Sequence, residues 1–135
     1  MREIKFRAKE MDNHWVYGDL VRDGNFDSTL IRCKNAIYAN VDYRTVGQFT
    51  GLYDKYGEEL YEGDIIRSFD SNGNPIYHHI EYRGASFVAI LEGYDSIELF
   101  NIESTLTQEW LNEFDKVIIG NIHDDKDYLY GTSKD

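Results

Sequence analysis

Polar and apolar residues alternate from the start of the chain. Ile4, Phe6 and Ala8 fall on one side of an extended segment and Glu3, Lys5, Arg7 and Lys9 on the other, the period-two pattern of a half-buried strand over residues 2–9. Met11, Asp12 and Asn13 supply turn chemistry, and His14–Arg22 is rich in aromatic and β-branched residues, so the pattern predicts a hairpin over residues 2–22, with Gly18 marking a bulge. Asp23-Gly24-Asn25 turns the chain again. Ser28–Cys33 and Val41–Phe49 read as strands around a segment, 34–40, whose pattern favours neither strand nor helix. From Gly47 to Arg67 glycines act as punctuation: Gly47 and Gly51 bracket an apolar run, Gly57 closes a turn, and Gly63 precedes the apolar pair Ile65 and Ile66. Strands follow at Asp64–Phe69, Ile76–Tyr82, Ser86–Leu91 and Ser96–Ile102, with turns about ten residues apart, which is the spacing of a small barrel or sandwich. One helix is predicted near 105–114, where Thr105 and Gln108 resemble a capping box and Leu106, Trp110 and Phe114 repeat at helical spacing beside Leu111. Lys116–Ile122 is apolar enough for a buried strand, and 124–135 reads as an acidic, fraying end.

Composition narrows the class. The 135 residues suit one domain, and 41% hydrophobic content with 15% aromatic residues indicates a folded globule. The formal charge of -11 is uneven, since residues 92–135 hold 11 of the 25 acidic residues and only 3 of the 14 basic ones. That balance repels a phosphate backbone, leaving Arg2, Lys5, Arg7 and Lys9 as a local basic strip whose ordinary reading is a solvated strand face. A lone Cys33 excludes an internal disulfide and fits a small buried apolar position. No apolar run approaches a membrane span, and MREIKF turns polar at once, so a cytoplasmic protein is expected.

Candidate chemistry is sparse. No phosphate-binding loop, dinucleotide fingerprint, nucleophile elbow or HExxH occurs, so the expectation is a non-enzymatic protein with no cofactor and no metal. His78 and His79, adjacent in a strand, point to opposite faces and do not ligate one ion together. Asp54 and Asp64 stand where turn chemistry alone calls for an aspartate. The polar residues among apolar anchors, Arg44, Thr45, Gln48 and Thr50, have two readings: a guanidinium and a carboxamide offered to a carboxylate, phosphate or peptide backbone, or a buried brace in which Arg44 pairs a neighbouring carboxylate. Tyr53, Tyr56, Tyr61, Tyr77 and Tyr82 likewise suit either a recognition groove or barrel filling. Arg44, Gln48, Thr50 and Tyr61 are taken forward as candidate binding residues.

The ordered anchors IKFRA at Ile4–Ala8, VGQFTGL at Val46–Leu52, the Asp54–Gly57 turn, LYEGDIIR at Leu60–Arg67 and IIGNIHD at Ile118–Asp124 resemble the YopX family of phage and prophage proteins. The chain departs from that family at His123-Asp124-Asp125, where a tyrosine and an Asn-Pro commonly follow. The resemblance implies a mainly β fold, a β-rich α+β chain with an N-terminal β hairpin region and a small barrel like Src-homology-three barrels. It implies one YopX-like domain over 1–135, divisible into 1–45, a barrel-like 46–123 and an acidic 124–135. It also implies an accessory role in phage biology and carries no catalytic residues. The leading expectation is a module that binds a protein partner or itself, with no membrane and no small-molecule substrate. The alternatives are nucleic-acid binding through barrel aromatics, which net charge disfavours, and an acidic DNA mimic acting on a host protein.

Overall fold

A computed structural model describes residues 3–23, 28–92 and 103–125. The protein is mostly β, with antiparallel sheets and one short helix, as the patterning predicts. The expected strand Ser96–Ile102, Arg2 and residues 126–135 lie outside the described residues. The chain divides into two compact units, Met1–Gly51 and Leu52–Asp135.

The first unit contains β1 (Phe6–Lys9), β2 (Trp15–Asp23), β3 (Ser28–Arg32), β4 (Tyr38–Asn40) and the start of β5 (Gly47–Tyr53), in the spatial order β4-β3-β2-β1-β5. β2 serves two partners: Trp15–Gly18 pair with β1 and Asp19–Asp23 with β3. Gly18 therefore marks a handover between partners and not the expected bulge. It is held at φ +156°, and a Cβ there would lie 2.0 Å from the Arg32 carbonyl oxygen, so the strands cross this corner only at a glycine. Segment 34–40, patternless in sequence, forms a 3-10 turn at Lys34–Ala36 and then β4, whose register with β3 places Tyr38 against Arg32 and Asn40 against Leu30. The expected strand Val41–Phe49 is interrupted by a second 3-10 turn, Tyr43–Thr45, because Asp42 caps it. A bridge between Val41 and Glu10, with the Asp42 amide donating to the Lys9 carbonyl at 2.9 Å, curls the sheet back onto β1. Ala8, Ile31, Ala39 and Val41 form the core inside this curl, packed by Phe6, Val16, Leu20, Cys33 and Val46.

The basic strip is not the solvated face expected of it. Arg7 is only 7% exposed and lies over the Trp15 ring at 4.7 Å, while Lys5 lies over Phe49 at 5.0 Å. The cations face aromatic rings instead of water.

In the second unit β5 continues through a turn closed by Asp54 and Glu58 into β6 (Glu59–Tyr61). Then come β7 (Asp64–Phe69), β8 (Pro75–Arg83), β9 (Ser86–Leu91), β10 (Glu103–Thr105), α1 (Gln108–Asn112) and β11 (Val117–Asn121). The last five strands form an open sheet in the order β10-β9-β8-β7-β11, and pairing among the described residues does not close it into a barrel. Leu60, Ile66, Ile80, Phe87, Ala89, Leu106 and Leu111 make its core, with Trp110 and Ile118 packed against them. The helix is shorter than expected and starts later. Its cap is Thr107, whose hydroxyl accepts the Trp110 amide at 3.0 Å, whereas Thr105 lies in β10 opposite Val88. It ends before Phe114, which takes φ +57° and is exposed, so that residue leaves the apolar stripe.

Asp54 and Asp64 are structural. Asp54 accepts the amides of Tyr56 and Glu58 on one oxygen, both at 2.9 Å, and that of Ile118 on the other at 3.0 Å. Asp64 accepts the Tyr61 amide at 2.7 Å. Between them sits Gly63 at φ +94°, its amide bonded to the Ile80 carbonyl at 2.8 Å. Gly18→Ala and Gly63→Val should each lower stability by roughly 3 kcal/mol through backbone clash or strain. Asp54→Ala, which leaves three partly buried amides without their acceptor, should cost roughly 2 kcal/mol. Gln48→Ala should stay folded, and chemical denaturation of the four variants followed by circular dichroism measures all of these effects.

Candidate functional site

A concavity of about 500 Å³ opens in the first unit, lined by Met11 from the β1–β2 turn, Ser28 and Thr29 from β3, and Asn40 to Arg44 from the end of β4 and the second 3-10 turn. Local chemistry fixes its rim. The Asp42 carboxylate accepts the Arg44 amide at 3.0 Å and then grips the Arg44 side chain, taking Nε–H on Oδ1 at 3.0 Å and Nη2–H on Oδ2 at 2.9 Å. Thr45 bolts the same turn to β1, its hydroxyl donating to the Asp42 carbonyl at 2.7 Å and accepting the Lys9 amide at 2.8 Å. The guanidinium is thus fixed in orientation although the Arg44 side chain is 74% exposed. Hydrogen bonding to Asp42, then its charge, holds the Arg44 pKa above its ordinary value. Met11 at 76% and Tyr43 at 70% exposure line the concavity together with the buried Thr29 and Val41.

Of the residues the sequence singles out, only Arg44 lines this concavity. Its partner is a carboxylate two residues away, and the pair is exposed, so the buried-brace reading is right about pairing and wrong about burial. Gln48 is half-buried in β5 opposite Phe6, and Thr50 is buried further along the same strand. Tyr61 is buried at the end of β6, its hydroxyl donating to Glu59 at 3.2 Å. Met11, Thr29, Asn40 and Tyr43 carried no chemical signal in sequence. Asp42 was passed over as part of the expected strand Val41–Phe49, although an aspartate is a residue type that caps a following turn.

Two further clusters hold titratable groups. Glu10, Asp12 and His14 bring their ligand atoms within 4.8 Å of one another at the surface of the β1–β2 turn. His14 Nδ1 lies 3.0 Å from Asp12, whose pKa is lowered, chiefly by the backbone amide of His14. In the second unit His78 and His79 do point to opposite faces. His78 is buried edge-on against Trp110, with ring centroids 5.0 Å apart, and burial followed by the charges of Lys116 and His79 lowers its pKa to about 4. Lys116, itself buried, donates to the Glu113 carbonyl at 2.9 Å, lies 4.4 Å from the Trp110 ring, and has its pKa lowered by burial. His79 sits between two carboxylates, Nδ1 on the buried Glu92 and Nε2 on Glu81 at 2.5 Å. Arg83 extends the row, donating to Glu81 at 2.8 Å and to Glu103 at 3.2 Å. Both ring nitrogens face acceptors, which suits the imidazolium: burial alone opposes the charge, but hydrogen bonds to Glu92 and Glu81 outweigh it and raise the His79 pKa.

The described structure is thus a two-unit antiparallel β protein with an open, arginine-rimmed concavity. Residues 5–129 match the model of the YopX protein family, and the chain belongs to that family. The crystal structure of protein EF1440 from Enterococcus faecalis is similar, with a TM-score of 0.59 over 96% of this chain and 99% of that one. At 21% identity the likeness is one of fold. No curated protein matches the chain.

Because the folded pKa of His79 lies above the unfolded value of about 6.5, its ion pairs stabilise fully below that pH and are lost as pH rises through the folded pKa. Urea denaturation across neutral to alkaline pH should show stability falling in that window, and His79→Gln should flatten the fall. His79→Leu, which strands Glu92 without its cation, should cost roughly 3 kcal/mol at neutral pH.

Proposed function

We propose that the chain is a non-catalytic binding module of phage or prophage origin, working in the bacterial cytoplasm, that holds an extended segment of a protein partner in the concavity rimmed by Arg44. The observation that carries this reading is that exposed apolar side chains, Met11 and Tyr43, line one concave surface with an arginine already fixed in orientation by its neighbour. Covering a methionine or tyrosine fully removes enough apolar surface to contribute about 1.5–3 kcal/mol each, and Arg44 supplies direction. β4, at the edge of its sheet and leading into the concavity, offers backbone donors and acceptors to an added strand. Nucleic acid is the poorer partner, because the overall charge is -11 and Lys5 and Arg7 are engaged with aromatic rings.

Panning a random peptide library against the protein, with Tyr43→Ala as the comparison, tests the reading. Enriched peptides should bind the wild type and lose about tenfold in affinity on Tyr43→Ala. If no sequence is enriched, or the variant binds equally well, the concavity is not the binding surface. A stable oligomer broken by Tyr43→Ala in light scattering would instead make the occupant a second copy of the chain.

A further inference from the structure

We infer that the occupant of the concavity presents a carboxylate, from an acidic side chain or a free C-terminus, seated on the outer edge of the Arg44 guanidinium. The inference rests on the peptide-binding reading above and names the chemistry of its anchor.

A guanidinium is a planar fork that can grip carboxylates along more than one edge. Asp42 occupies the edge formed by Nε and Nη2. The opposite edge, Nη1 with the outer Nη2 hydrogen, has no acceptor among the described residues, and Arg44 is one of the residues that line the concavity. Two further groups in the same lining are in the same condition: the Thr29 hydroxyl and the Asn40 carboxamide have no side-chain hydrogen bond among the described residues. Asp42, by contrast, is engaged by Arg44. The hydroxyl and the carboxamide can donate or accept, the guanidinium can only donate, and the Asp42 carboxylate is already engaged, so the group that sets the preference is Arg44, and it calls for an acceptor.

Charge selects among acceptors. Hydrogen bonds to an ionised oxygen are about twice as strong as those to a neutral carbonyl, so a carboxylate gains more here than an amide does. A phosphate dianion gains hydrogen bonds too, but brings a larger charge against Asp42 and against a chain of net charge -11. A planar, singly charged group matches both the fork and the field. Pre-setting by Asp42 also lowers the rotamer entropy that Arg44 loses when the ligand arrives.

Peptides selected by panning are resynthesised in pairs, with the acidic group intact or converted to carboxamide, and titrated calorimetrically into wild type, Arg44→Gln and Arg44→Lys. The carboxamide member should bind wild type about tenfold more weakly. That difference should vanish in Arg44→Gln and be only partly retained in Arg44→Lys, which keeps the charge and loses the fork. Equal binding of the pair to wild type, a difference that survives in Arg44→Gln, or tighter binding of a phosphorylated version overturns the inference while leaving the peptide site standing. If panning returns no sequence, the binding reading falls, and acetate titrated into ¹⁵N-labelled protein decides the anchor alone. Saturating shifts of the Arg44 Nε–H and Asn40 side-chain signals, absent with chloride and absent in Arg44→Gln, support it. No such shifts, or larger ones with inorganic phosphate, overturn it.

Discussion

Asp54 accepts the amides of Tyr56, Glu58 and Ile118, and through the last of these it ties the β5–β6 turn to β11, 64 residues away in sequence. The same device recurs at five other turns among the described residues. Asp12 takes the His14 amide, Asp42 that of Arg44, Asp64 that of Tyr61, Asp70 those of Asn72 and Asn74, and Asp125 that of Asn121. Short strands leave many backbone groups without ladder partners at their ends, and an amide left bare in a buried turn costs about as much as a whole side chain contributes elsewhere. The eleven strands among the described residues, most of them six residues or fewer, therefore depend on side-chain acceptors at their ends. Part of the chain's acidity follows from this demand. Six of its aspartates are engaged with backbone amides, so the net charge does not by itself imply a surface shaped to imitate nucleic acid.

The curl of the first unit follows from a second constraint, the close approach at Gly18. With no Cβ in the way, β2 passes beneath the Arg32 carbonyl and changes partner from β1 to β3 within one strand. That change turns β3 and β4 around until Val41 reaches Glu10 and the Asp42 amide reaches the Lys9 carbonyl. Asp42 arrives beside β1 already placed to cap the next turn, and Thr45 completes the joint. The concavity is the space enclosed as these segments meet. Its orientation is set by backbone hydrogen bonds, and its rim by one carboxylate that both caps a turn and aims a guanidinium.

Period-two alternation made the hairpins legible, because one buried face per strand leaves a pattern that survives without any knowledge of pairing. The aspartate at the Asp54 turn and the glycine at position 63 were legible for the same reason: their roles are local. The misreadings share a nonlocal cause. Lys5 and Arg7 look like solvent-facing residues in a strand, and only the folded register shows Trp15 and Phe49 waiting beside them. Thr105 resembles a cap, but β9 recruits it as a strand residue and passes the role to Thr107. For the concavity, Arg44 was visible as a polar residue among apolar ones. Met11, Thr29 and Asn40 come from three separate segments that only the curl assembles, so no window of sequence contains them.

Burial decides what each of the two ion-pair systems is for. The Asp42–Arg44 pair is largely in water, where such a pair contributes under about 1 kcal/mol, so stability does not explain its bidentate geometry. What it does accomplish is to fix the plane of a cation that would otherwise sample many rotamers, leaving one edge turned to a surface that a ligand can reach. Glu92, His79 and Glu81 show the reverse. Both imidazole nitrogens are spent on carboxylates, one of them buried, so the histidine has no lone pair for a metal or a substrate and no free N–H for a ligand. Its value lies in holding β8 to the end of β9. A titratable residue fully matched inside the fold has its work there, as His79 has, whereas Arg44 is held in place at the surface with one edge of its guanidinium unmatched among the described residues.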